Sequence, residues 1–214
     1  MRSFTHTHLA RALAVGPSVL LLDEPLSALD PGFRDEIQQV LKNLHQEAGT
    51  TFMMVTHDFS EALFLGEHAA ILNNGRIEQD GPVNEIFRFP KTVFAARFVG
   101  IKNLFPAIIR DREADINGMS LLMAARARNG RHHVAIRSED IHLLPAGKRL
   151  NGPNQFEGYI CNFIDRGPYG EATVKLDRHA ISLALKKTEW MECAGDGQRK
   201  IRFHIPPASI HVIV

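Results

Sequence analysis

Residues 19–22 are four consecutive apolar side chains, Val19, Leu20, Leu21 and Leu22, that run directly into Asp23 and Glu24. A short uninterrupted apolar run of this kind predicts a strand buried on both faces, as in a parallel sheet. Residues 51–55 repeat the pattern and lead into Thr56, His57 and Asp58. Between the two runs, Phe33, Ile37, Val40, Leu41 and Leu44 recur at helical spacing, with Pro31 at a suitable first helical position. Strand, helix and strand make a βαβ unit, so the polar ends of both strands emerge on one edge of the sheet.

Helical patterns continue at 82–89, where Val83, Ile86 and Phe87 share a side, and at 92–99, with Val93, Phe94, Ala96, Phe98 and Val99 before Gly100. Beyond Gly100 the pattern changes to short apolar stretches separated by turn residues, at 103–109, 133–137, 156–160, 172–176, 179–183 and 200–205. These predict a small antiparallel barrel. Gly100 is therefore the expected boundary, with an α/β domain over 1–100 and an all-β domain over 101–214. Residues 186–190 with Trp190 fit an exposed strand or a short helix and carry no evident chemistry.

Open α/β sheets place ligand chemistry at the carboxyl ends of their strands. A magnesium nucleotide suits the edge after residue 22. Asp23 would hold the metal through water, and Glu24 would polarise a water attacking a γ-phosphate. The plain alternative is a buried strand that ends in a solvated acidic turn. For His57 the plain alternative is a helix-capping turn shared with Asp58, which is compatible with a catalytic role.

Lys+Arg total 25 against Asp+Glu 24, a formal net charge of +1, which gives no electrostatic case for nucleic acid. Cys161 and Cys193 are far apart and outside any C-x-x-C, so free thiols in a reducing compartment are expected. No run approaches the ~18 to 20 apolar residues of a membrane span, and the N-terminus lacks a signal-like apolar core. The expectation is a soluble chain that meets a membrane only through a partner. His6 with His8, and His132 with His133, lack the spacing of a closed metal site.

The ordered elements together resemble the ATP-binding subunit of ABC transporters, from just after its signature helix onward. Residues 9–13 match the helix after the signature, 19–24 match Walker B with the catalytic glutamate, 27–30 match the D-loop, and His57 matches the switch histidine. Residues 73–81 look like the hairpin that closes the nucleotide domain. The resemblance implies Glu24 and His57 as catalytic, Asp23, Ser27 and Asp30 as nucleotide-binding, and ATP with Mg2+ as cofactors. The implied fold is thus the C-terminal part of a P-loop NTPase domain followed by a barrel. A G-x-x-x-x-G-K-[ST] loop, the Q-loop and an L-S-G-G-Q signature do not occur in the 214 residues. Residues 1–7 match the family poorly, so truncation is expected, the chain alone is expected to be inactive, and its uncovered sheet edge is an aggregation hazard.

The second half resembles the accessory TOBE barrel of importer ATPases. Residues 134–141, Val-Ala-Ile-Arg-Ser-Glu-Asp-Ile, are similar to a V-x-[IV]-R-P-E-D-[IV] stretch, with Ser138 in place of proline. Residues 154–160, Gly167 and 172–176 resemble the Mop-type barrel of molybdate and tungstate importers; sulfate, iron and polyamine importers carry related barrels. Residues 151–154 lack the hydroxyl and guanidinium an oxyanion site needs, Pro206 stands where a lysine is common, and Ser209 remains a candidate oxyanion ligand. The resemblance implies transmembrane permease subunits, a second ATPase copy and, indirectly, a substrate-binding protein as partners, at the cytoplasmic face of the inner membrane. The alternative is a non-catalytic regulatory or dimerisation module, or an inactive remnant.

Overall fold

The computed structural model describes residues 11, 15–27, 29–144, 152–195 and 200–214; apart from Arg11, the helix expected at 9–13 lies outside them. The chain forms two compact units, one of the residues up to Ala70 with Asp80–Ile86, the other of Ile71–Gln79 with Phe87–Val214.

In the first unit, β1 (Val19–Asp23) pairs in parallel with β2 (Thr51–Val55), Val19 opposite Thr51 and Asp23 opposite Val55. The crossover between them is α1 (Pro31–Ala48), which starts with proline in its first turn and stops at Gly49 with φ 62°. Its Ile37 and Leu41 are buried with Leu26, and Leu22, Phe33, Phe52 and Leu65 pack against them. Burial on both faces of β1 is realised on one face only. Leu21 is 71% exposed and Met53 64%, and Val19 and Val55 share that exposed face. A two-stranded sheet with one helical layer has a core side and an open side.

Next come α2 (Phe59–Leu65) and a hairpin of β3 (His68–Asn73) and β4 (Arg76–Pro82). Asn74 and Gly75, with φ 50° and 75°, make its two-residue turn, a geometry that matches strand twist and needs positive φ. Helix α3 (Val83–Arg88) is shorter than expected because Pro82 ends β4, whereas α4 (Val93–Phe98) is capped by Thr92 Oγ1, which accepts from Ala95 N at 3.1 Å.

The second unit carries two five-stranded sheets. One holds β5 (Asn103–Arg110), β6 (Glu113–Ile116), β7 (Met119–Leu122), β8 (Gly130–Ile136) and β14 (Ile210–Ile213), in the order β14-β8-β5-β6-β7. The other holds β9 (His142–Leu144), β10 (Gln155–Asp165), β11 (Tyr169–Leu176), β12 (His179–Lys186) and β13 (Lys200–His204), in the order β12-β11-β10-β13-β9. Ile109, Ile116, Leu121 and Ile136 of the first sheet and Val174, Ile181, Leu183 and Phe203 of the second fill one core. The expected barrel is thus two sheets around a shared interior.

Two buried asparagines stitch the sheet edges together. Asn103 in β5 donates to Ser182 O at 2.8 Å and accepts from Ser182 N at 2.7 Å, on edge strand β12 of the opposite sheet. Asn154, just before β10, accepts from Leu122 N at 2.7 Å and donates to Leu122 O at 2.8 Å, on edge strand β7. Each amide copies the donor and acceptor of a missing neighbouring strand, which satisfies backbone groups that burial would otherwise orphan.

Trp190 lies on the short helix α5 (Lys187–Gly195), its ring stacked on Phe163 with centroids 3.7 Å apart. Phe163 also lies over Gly170, where a Cβ would fall 2.1 Å from the ring, so Gly170 is required by close approach. In the 134–141 stretch, Arg137 donates to the carbonyl oxygen of Phe87 and lies 3.6 Å from the centroid of its ring. Glu171 accepts from Lys102 and lies 3.5 Å from Arg166. The Lys102 hydrogen bond, outweighing burial, holds its carboxyl below the ordinary value.

Asn103→Ala removes one stitch without altering a turn, and unfolding of the variant is expected to show a stability loss of about 2 to 4 kcal/mol as a lower denaturant midpoint, because two backbone groups lose their partner. Since the folded state depresses Glu171, its contribution is present above the unfolded value, near 4.5, and disappears as pH falls through the lower folded value. Comparing wild type with Glu171→Gln from pH 7 down to 3 should show the wild-type advantage shrinking on acidification. A constant difference would refute it.

Candidate functional site

The site is built by strand register. With Asp23 opposite Val55, the next amide, Glu24 N, donates to Val55 O at 2.9 Å. Glu24 adopts φ 41°, the left-handed region that side chains other than glycine rarely occupy. The following turn supports it: Ser27 N and Ser27 Oγ both donate to Glu24 O, at 3.3 and 3.0 Å. The Glu24 side chain reaches His57 beyond β2, with Oε1 and Nδ1 3.0 Å apart. Both are open to solvent, 44% and 72% exposed.

Asp23 ends β1 on its exposed side. Asp30 is the N-cap residue of α1; its carbonyl receives Phe33 N and Arg34 N, and its carboxylate makes no capping bond. The structure therefore brings Glu24 and His57 together, places Asp23 adjacent on the same strand end, and engages the Ser27 hydroxyl with Glu24 backbone. Ala28, within the expected D-loop, lies outside the described residues. Ser209 is half-buried in a 3-10 turn (Pro207–Ser209) of the second unit. The Asn154 amide is consumed by Leu122 and by Ile205 O at 3.1 Å, so it has no free donor geometry for an anion.

Behind His57 lies a polar cluster that the sequence reading did not single out. Asp58 caps α2, accepting from Ser60 N at 2.8 Å, so the capping role and the Glu24 contact coexist in this turn. Thr56 Oγ1 donates to Glu61 Oε2 at 2.6 Å and accepts from Asp58 N at 3.0 Å. Glu61 is only 3% exposed. Arg34 of α1 supplies the countercharge, with Nη1 3.4 Å from Asp58 and Nε 3.9 Å from Glu61. The available signal was the D-x-x-E spacing of Asp58 and Glu61, that of a capping box, although Glu61 here serves Thr56.

Among the described residues no group of three or more His, Cys, Asp or Glu side chains could hold a metal. That excludes a dedicated protein cage there. A Mg2+ that keeps most of its water needs only one or two protein carboxylates, and Asp23 is the carboxylate that could serve at this strand end.

A parallel strand edge bearing paired carboxylates and a facing histidine, in a chain that continues into an all-β unit of two five-stranded sheets, makes this a mixed α/β fold. Comparison with known proteins makes the relationship specific. The chain is 42% identical over 180 residues to the spermidine/putrescine import ATP-binding protein PotA of Nostoc sp., covering 78% of this chain and 47% of that protein. It is 47% identical over 139 residues to the sulfate/thiosulfate import ATP-binding protein CysA 2 of Chromobacterium violaceum, covering 64% and 38%. The chain is similar over this stretch to ATP-binding proteins named for polyamine and sulfate import, and it spans about half the length of the curated relatives it matches.

No family model matches the chain. Among solved structures, the cytoplasmic molybdate-binding protein ModG aligns at 16% identity and TM-score 0.44, over 54% of this chain and 97% of that one. A dimeric ATP-binding cassette in a post-hydrolysis state with ADP and Pi aligns at 39% identity and TM-score 0.34, over 37% and 34%. No helix among the described residues is long and apolar enough to cross a membrane.

Glu61→Ala would leave Thr56 without its acceptor and Arg34 without one of its two carboxylates. The expected loss is about 1 to 3 kcal/mol of stability, since the carboxylate is buried while Arg34 is partly solvated. Glu61→Gln, which still accepts from Thr56, should lose less. Urea unfolding of both variants checks the order.

Proposed function

We propose that this chain carries the hydrolytic edge of an ABC importer's ATP-binding subunit. The observation that supports it best is the 3.0 Å pairing of Glu24 with His57 at the carboxyl ends of two parallel strands. Glu24 accepts the proton of a water that attacks the terminal phosphate of ATP, giving ADP and phosphate. His57 is held by Glu24 through Nδ1, which leaves Nε2 for the phosphate side. Asp23 takes the Mg2+ side through water, and the turn bearing Ser27 and Asp30 lines the nucleotide. When bound, Mg2+ neutralises charge on the phosphates.

In this reading residues 1–100 are the C-terminal portion of the nucleotide domain and 101–214 the TOBE-type accessory domain. The working assembly pairs two ATPase subunits with transmembrane permease subunits on the cytoplasmic membrane face, fed by a substrate-binding protein. The transported substrate is an oxyanion of the molybdate or tungstate type, with sulfate, polyamine and iron as the alternatives. A phosphate-cradling loop is supplied from outside these 214 residues, because none of them forms a G-x-x-x-x-G-K-[ST] sequence. That same observation favours a second reading, a non-catalytic regulatory or dimerisation module.

The two readings separate in an assembled importer that carries this chain. Glu24→Gln is expected to lower ATP hydrolysis at least about 100-fold, the scale of a lost general base, while ATP binding persists. Turnover unchanged by the substitution removes Glu24 from its role. The isolated chain is expected to show no turnover of its own.

A further inference from the structure

His142 and His204 are far apart in sequence but face each other across an antiparallel ladder. Edge strand β9 pairs with β13 so that His142 is opposite His204, Leu143 opposite Phe203 and Leu144 opposite Arg202. Directly opposed side chains share a face, with Cβ atoms about 4.5 to 5.5 Å apart. Phe203 is buried in the core, so the alternation of the strand turns His204 to the outer face. On the other side of β13, Gln155 of β10 is opposite His204. The outer face therefore presents a row of two imidazoles and an amide across three strands.

The surroundings suit a metal ligand more than a structural contact. Among the described residues neither ring is engaged in a hydrogen bond. His142 is exposed and His204 half-buried. Arg202 lies two residues from His204 on β13 and opposes a purely electrostatic cation site.

We propose that His142 and His204 form a two-imidazole site for a divalent transition ion, with water completing the coordination. A pair of imidazole nitrogens selects Cu2+ first, with Zn2+ and Ni2+ also bound, and discriminates against Mg2+ and Ca2+, which demand oxygen ligands. Metal–nitrogen distances near about 2.0 to 2.1 Å are what such a site would require of the two rings. Since no third His, Cys, Asp or Glu completes a cluster among the described residues, the affinity belongs to a bidentate site. Occupancy would clip β9, a strand of only three residues, to β13.

The test is Zn2+ titration of the full chain, followed by NMR of the histidine rings. The His142 and His204 signals are expected to move along one shared binding curve, and Mg2+ should not reproduce it. His142→Asn should abolish the response at His204 or weaken it at least tenfold, and His204→Asn should do the same at His142. His133→Asn, on a different sheet, should leave both unchanged. Separate curves for the two rings, an undiminished His204 response in His142→Asn, or an equal effect of Mg2+ would each overturn the proposal.

Discussion

The candidate site depends on one constraint, the register of β1 against β2. Asp23 lies opposite Val55, so the ladder carries on to Glu24 N and delivers the Glu24 carboxylate to His57. That register is fixed by burial: Leu20 is buried and Leu22 packs on the α1 core, while Leu21 and Met53 face outward. A slip of one residue would invert every one of these and take Glu24 away from the histidine. The positive φ of Glu24 costs of order 1–3 kcal/mol for a non-glycine residue and persists only where the surroundings over-determine it. Here the ladder bond to Val55 and the two Ser27 bonds do so.

Magnitudes distinguish the polar groups that hold the fold from those that contribute little to it. The Glu24–His57 pair is well solvated, and exposed ion pairs contribute only about 0 to 1 kcal/mol, so stability does not explain its presence. The Thr56–Glu61–Arg34–Asp58 cluster is the reverse case. Its buried carboxylate would be expensive without partners, and those partners tie α1, α2 and the histidine-bearing turn into one piece. The histidine thus projects toward solvent from a turn held by these contacts.

The βαβ unit was legible because its signals are local: apolar runs for β1 and β2, and helical spacing with Pro31 for α1. Asp23, Glu24 and His57 followed from where those runs end. The exposed face of β1 was not legible, because an apolar run predicts two covered faces and says nothing of how many layers are present. Four strands, β6, β7, β9 and β14, were missed since they are three or four residues long, too short for periodicity. For β6 and β7 a signal existed in Asn117-Gly118, whose positive φ values make the hairpin turn. The Arg34–Glu61 contact and the opposition of His142 to His204 are products of tertiary pairing, which no spacing along the chain encodes.

The asparagines have a structural role that spacing along the chain does not reveal. Asn154 closes the 151–154 stretch, which lacks the hydroxyl and guanidinium an oxyanion site needs, and its amide is bound to the backbone of Leu122 and Ile205. Asn103 does the same job at the other edge. Two sheets that share a core but not a ladder leave backbone donors and acceptors facing the interior, and an unpaired buried group costs about 1 to 3 kcal/mol. A side-chain amide is the one group that offers a donor and an acceptor in the spacing of a peptide, so asparagine at these positions is accounted for by closure of the fold. Anion binding by this unit would need donors other than Asn154. Both asparagines of the second unit are thus spent on closing its own two sheets.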